Sequence, residues 1–179
     1  MHVTAITLGL IMATTSAAKA VHYTLPKNVK IASNCSLPLD FEVSNFVTFK
    51  SKADASLDYL HFDFVDQGTN IHTACARNST SKASGPGENR YTCDNANVAF
   101  IYQTTGITGL TLIEKACPGG SPDQYEASGL IQPQLACSNA TDAQLCFAKQ
   151  PSTSGVFSSI DAAPPARPGR KARAASSIY

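Results

Sequence analysis

The sequence predicts an all-β fold, a small disulfide-stapled antiparallel β-barrel or sandwich followed by a disordered C-terminal tail. Three observations carry that expectation. Apolar residues alternate with period two over several short runs. Turn-forming residues cluster between those runs. Six cysteines, an even number, are spread along a chain of 179 residues.

The alternation begins with Leu39, Phe41 and Val43, which share one face of an extended segment. Leu60, Phe62 and Phe64 repeat it, with His61, Asp63 and Val65 on the opposite face. Val98, Phe100 and Tyr102 form a third run, and Leu110 with Leu112 a fourth. Breaks fall at Asp66-Gln67-Gly68-Thr69-Asn70, Ser84-Gly85-Pro86-Gly87-Glu88-Asn89, Thr105-Gly106 and Pro118-Gly119-Gly120. Short strands at this spacing read as an antiparallel sandwich or barrel. No extended helical stripe follows the N-terminal apolar run, although 143–148 would suit one turn of helix.

That apolar run begins at Val3 and ends at Ala13, with Ala18-Lys19-Ala20 behind it. It reads as a signal peptide over 1–20 with cleavage after Ala20. A bilayer-spanning helix needs about 20 apolar residues, so a secreted, extracellular product is expected rather than a membrane protein. Residues 21–34 read as a leader and 35–150 as one domain. Residues 151–179 read as a disordered, basic Pro/Ala/Ser-rich tail with too few apolar side chains to offset the entropy of ordering it.

In an exported chain, Cys35, Cys75, Cys93, Cys117, Cys137 and Cys146 are expected in disulfides. Spacing alone leaves the connectivity open. Local geometry favours Cys75 with Cys93 across a polar, glycine-rich loop and Cys137 with Cys146 around a second loop, which leaves Cys35 with Cys117. Asn78-Ser79-Thr80 and Asn139-Ala140-Thr141 are glycosylation sequons in polar stretches, so Asn78 and Asn139 are candidate acceptors. Asn34-Cys35-Ser36 also fits formally, but a disulfide at its central residue makes a poor acceptor.

Charge gives little direction to partners. Removing Lys19 with the signal peptide leaves 13 basic and 13 acidic side chains. Residues 21–150 hold nine Lys/Arg against twelve Asp/Glu, and the tail carries four basic residues against one acidic. No broad basic surface argues for nucleic acid.

No catalytic string is present: GxSxG, HExxH, GxxxxGK[ST] and GxGxxG are all missing. Asp58, Asp63 and Asp66 lie close in sequence, as glycan-hydrolysing carboxylates can. Asp58 and Asp63 fall on opposite faces of a regular strand, however, and Asp66 in a turn, so solvated edge charges are the simpler reading. His22 would chelate copper with His61 or His72 only if it became the mature N-terminus, and cleavage after Ala20 leaves Val21 in front. Arg170-Lys171 offers a dibasic site to a secretory endoprotease, although a solvated basic tail accounts for it. No catalytic residue, metal or cofactor is assigned.

The stretch Cys35-Ser-Leu-Pro-Leu-Asp-Phe-Glu-Val-Ser-Asn-Phe, then Leu60-His-Phe-Asp-Phe-Val-Asp, Thr73-Ala-Cys75, Tyr91-Thr-Cys93 and Val98-Ala-Phe100 resembles the Alternaria major allergen (Alt a 1)-like family of fungal secreted proteins. The resemblance covers roughly 35–146 and rests on a cysteine-and-hydrophobic pattern. It implies an antiparallel β-barrel and a non-enzymatic role at a host interface, as effector, elicitor or allergen. The implied partners are plant defence proteins or small phenolic ligands. It also implies bridges matching Cys75–Cys93 and Cys137–Cys146. Cys35 matches a cysteine that joins two subunits in the allergen, but Cys117 offers it a partner within this chain, so a monomer is expected over a covalent dimer. The alternatives to this reading are a copper-dependent or glycan-active secreted enzyme and a structural cell-surface protein.

Overall fold

The computed structural model describes residues 21–27, 35–84, 89–117 and 125–163. The expected signal peptide, the end of the leader, and Arg170-Lys171 lie outside them.

Alternation becomes strand where expected. Strand β1 spans Asp40–Ser51, β2 Tyr59–Asp66 and β3 Ile71–Arg77. Strand β4 spans Arg90–Thr92, β5 Val98–Gln103 and β6 Gly109–Ala116. Then come β7 (Tyr125–Ile131), β8 (Leu135–Asn139), β9 (Ala143–Ala148), β10 (Ser152–Val156) and β11 (Ser159–Ala162). A single 3-10 turn, Ala55–Leu57, joins β1 to β2. Every pairing is antiparallel.

Two sheets result. One runs β3-β2-β1-β9-β8 with β10 also on β1, and the other runs β11-β7-β6-β5-β4. They pack as a sandwich; they do not close into the barrel that was the other expected form. β1 is long enough to serve two partners along one edge, β10 at Asp40 to Ser44 and β9 at Val47 to Ser51.

Between the sheets lies an aromatic core. Phe62 and Phe100 meet edge to face at 5.0 Å, and Phe41 packs on Phe157 at 4.9 Å. Leu60, Phe62 and Phe64 all point inward, as their alternation requires. In β1 the inward phase set by Phe41 and Val43 would carry Asn45 inside and Phe46 out. The register instead shifts between Ser44 and Val47, with Asn45 at φ 54°, and Phe46 is buried. This is a β-bulge, which restores an apolar residue to the core after a break in the alternation.

Three expectations about elements are corrected. Residues 143–148 are strand β9, because Cys146 bonds Cys137 on the neighbouring strand and Leu145 and Phe147 alternate with it. The leader contributes to the core from its first residues: Tyr23 is buried and donates from its hydroxyl to Pro38 O at 2.7 Å. The folded domain also runs past residue 150, to Ala162, because β10 and β11 stand in what reads as tail.

The chain can afford so few apolar residues there because both strands borrow partners already in place. β10 adds to β1 and β11 to β7, and Phe157 at the corner between them is fully buried. Phe157 N–H donates to Leu39 O, and Ser158 N–H to Ser128 O, each at 2.9 Å. The corner demands glycine on both sides: a Cβ on Gly129 would run into Val156 O, and one on Gly155 into the Phe41 ring.

The disulfides are Cys35–Cys117, Cys75–Cys93 and Cys137–Cys146. Cys137–Cys146 clasps the β8–β9 hairpin. Cys75–Cys93 does more than close a hairpin loop, since Cys75 is in one sheet and Cys93 follows β4 of the other. Cys35–Cys117 likewise ties the approach to β1 to the end of β6, across 82 positions of sequence. Two of the three bridges therefore fasten sheet to sheet, and each can add about 3 kcal/mol by restricting the unfolded chain.

Candidate functional site

In an antiparallel sheet, residues directly paired across strands share a face. On the outer face of the six-stranded sheet, Val47 pairs with His61 on one side and Phe147 on the other. Phe49 pairs with Tyr59 and Leu145 in the next row. The result is a block of aromatic and aliphatic side chains turned toward solvent. Phe49 and Tyr59 stack at 5.4 Å with an interplanar angle of 11°. Tyr59 is 40% exposed and Phe147 50%. A solvated sheet face is ordinarily polar, and a contiguous apolar one marks an interaction surface.

Below the bulge at Asn45 the same face changes character. Ser44 pairs with Asp63 and Ser152, and Glu42 with Val65 and Ser154. Here Asn45 Nδ2 donates to Asp63 at 2.7 Å. His22 lies 3.5 Å from Asp40 at the margin. His22, Asp40, Glu42, Val65, Ser154 and Val156 are among the residues lining a groove of about 440 Å³. The face is thus divided into an apolar half around Phe49 and Phe147 and an acidic half around Glu42 and Asp63.

The sequence-level carboxylate candidates separate. Asp58 follows the 3-10 turn and accepts from Ser51 N–H at 2.8 Å. Asp63 is on the outer face. Asp66, expected as a solvated turn residue, is the last residue of β2 and fully buried, in phase with Phe62 and Phe64. Its carboxylate accepts from the backbone N–H groups of Leu39, Gly68 and Thr69, so the turn is built around it. Burial raises its pKa, against those three donors.

The structure holds a second buried acid, Glu114, that no sequence motif marks. It continues the inward phase of Leu110 and Leu112 on β6 and has no exposed surface. Both of its carboxylate oxygens and the Thr69 hydroxyl lack a hydrogen-bond partner among the described residues. Desolvation pushes the Glu114 pKa up to about 8, with the Asp66 charge adding to the rise; the nearby Thr69 hydroxyl softens it without completing a hydrogen bond. Burial, with Asp66 and Glu114 facing it, raises Tyr23 to about 12. The alternation that marked Leu110 and Leu112 as inward also marks Glu114, so the signal was present. Enclosed between the sheets, this pair cannot reach a polymeric glycan.

Of the histidines weighed for copper, His61 pairs with Ala76 and His72 with Val65. They stand four residues apart along the strands, roughly 13 Å. Among the described residues no group of three or more His, Cys, Asp or Glu is placed to hold a metal ion.

The two glycan acceptor candidates are exposed. Asn78 follows β3, and its Oδ1 accepts from the backbone N–H and the hydroxyl of Thr80, an Asx turn. Asn139 closes β8, with its Oδ1 accepting from Gln144 Nε2 at 2.9 Å.

No protein-family model matches the chain, and no curated protein matches it.

Proposed function

We propose that this chain is a secreted, non-enzymatic interaction protein, an effector, elicitor or allergen-like molecule of a fungus, acting at the host interface through the outer face of its six-stranded sheet. The observation that carries the reading is the apolar block of Val47, Phe49, Tyr59, Leu145 and Phe147 on a face turned to solvent. Aromatic residues of this kind, set in a patch and rimmed by polar groups, are the usual anchors of protein interfaces. The acidic half beside it favours a partner that brings an apolar protrusion flanked by basic side chains. Three disulfides suit an oxidising, extracellular setting. Among the described residues no helix is long and apolar enough to cross a membrane.

The test is capture of plant extracellular proteins on the immobilised mature protein, followed by leaf infiltration. Phe147→Glu, at an exposed position, is expected to leave the unfolding midpoint unchanged and to weaken retention of a captured partner at least tenfold, the size of loss expected from one interface anchor. Equal retention by wild type and variant would remove the sheet face from the reading. Failure to find either a partner or a tissue response in several hosts would remove the host interface.

The groove beside His22 supports a second mode, binding of a small phenolic ligand. Its volume is in the range of small-molecule sites. Val65 and Val156 offer an apolar floor, and Glu42 an acceptor for a phenolic hydroxyl. Calorimetry with a simple flavonoid should show saturable binding that Glu42→Ala weakens several-fold; no heat of binding in the wild type refutes this mode.

A further inference from the structure

β8 is the outermost strand of its sheet, and among the described residues no strand pairs with its free edge. Its hydrogen-bonding phase follows from two bonds at the ends of the β8–β9 hairpin. Lys149 N–H donates to Gln134 O at 2.7 Å, and Ala140 N–H to Ala143 O at 2.8 Å. Alternation from those pairs puts Leu135, Cys137 and Asn139 at non-hydrogen-bonded positions, where N–H and C=O point away from β9. The short Cα separation of 4.0 Å between Cys137 and Cys146 agrees with that phase. Three successive pairs of backbone donors and acceptors therefore face outward.

Such an edge invites another strand, and proteins usually blunt it with lysine, proline, a bulge or an inward-pointing charge. β8 has none of these. Its sequence is Leu-Ala-Cys-Ser-Asn, and its register with β9 runs without a shift. What it does have is a glycosylation sequon at its last residue, Asn139.

We propose that the free edge of β8 is a self-association site, at which two copies of this chain pair β8 to β8 in antiparallel register, and that an N-linked glycan on Asn139 blocks it. A second copy is the occupant the chemistry favours. Antiparallel addition of one edge to its twin about a two-fold axis is self-complementary. No charge on β8 opposes its own image, and neither do Leu145 and Phe147 on the neighbouring strand. Phe147, half exposed beside the seam, gains cover when the sheet continues across it. This association rests on backbone groups of the edge, whereas the proposed partner binding rests on side chains of the sheet face.

Asn78 supplies the control. It follows β3 at the opposite edge, which is already tied to the other sheet. Asp94 N–H donates to Ala74 O at 3.0 Å, Asn95 N–H to Thr73 Oγ1 at 2.9 Å, and Cys75–Cys93 bridges the same place.

The experiment is sedimentation velocity over a concentration series on protein secreted by a glycosylating eukaryotic host, with intact mass to read glycan occupancy. Wild type, glycosylated at Asn139, and Asn78→Gln are expected to remain monomeric. Asn139→Gln is expected to move toward twice the monomer mass as concentration rises. Adding Ala136→Lys to Asn139→Gln should return it to monomer by placing like charges across the seam. An Asn139→Gln protein that stays monomeric overturns the proposal. So does a dimer that Ala136→Lys leaves intact, equal dimerisation of Asn78→Gln, or a wild-type chain that is monomeric with Asn139 unmodified.

Discussion

A chain ending at Gln150 is expected not to fold. It would lose β10, which lies along the first half of β1, and β11, which completes the edge of the second sheet beside β7. It would also lose Phe157 and Ile160 from the core. Burying a phenylalanine accounts for about 3–5 kcal/mol when it is cut back to alanine, while the net stability of a domain is about 5–15 kcal/mol. Removing two strands as well exceeds that margin. The point substitution Phe157→Ala, which keeps the backbone, should lower stability by about 3–5 kcal/mol. The protein has no tryptophan, so far-ultraviolet circular dichroism in a denaturant series is the suitable probe. A cooperative transition at the wild-type midpoint in the 150-residue chain would show that the sandwich stands without its C-terminal corner.

Stability is expected to fall as pH rises from about 4.5 to about 8. Glu114 is fully buried with neither oxygen hydrogen-bonded among the described residues, so the folded protein holds its proton more tightly than the unfolded chain does. When the native state binds more protons than the unfolded state, raising the pH favours unfolding. The stabilisation is fully present below the ordinary glutamate value of 4.5, and it is lost as pH climbs through the folded value of about 8. The loss is on the order of 4 kcal/mol. Asp66, also raised by burial, acts with the same sign beginning at lower pH. The groups that face this pair are Tyr23 and Thr69, and Asp40 acts on Asp66. Tyr23 stays neutral throughout the window, since its value is raised to about 12. Glu114→Gln should flatten the profile and leave the variant more stable than wild type above pH 8. Denaturation midpoints that do not change across the window in wild type, or that slope equally in the variant, would refute the assignment.

The candidate surface was only partly legible in advance. Val47, Phe49, Leu145 and Phe147 are apolar and would each pass for core residues, and plain alternation puts Val47 in phase with the buried Val43. It takes the bulge at Asn45 to switch the faces of β1, and the pairing with β9 to show that Phe147 lies outside beside Val47. Asp66 misled for the opposite reason. Its turn-like neighbours suggested solvent, yet the last inward position of β2 carries it into the core, where three backbone donors receive it.

By itself the sequence determined the all-β class and the inward faces of β2, β5 and β6, because period-two alternation is a local property of the chain; it favoured the three cysteine pairs but left their connectivity to the fold, since Cys35 and Cys117 stand 82 positions apart. Tertiary structure decided the rest. A sandwich was chosen over a closed barrel, residues 152–162 became strands despite their sparse apolar content, and one sheet face kept its aromatics in solvent. Each of those outcomes depends on which strand finds which neighbour across long stretches of sequence. Hydrogen bonds from β1 and β7, not the propensity of the segment itself, hold the C-terminal strands in place.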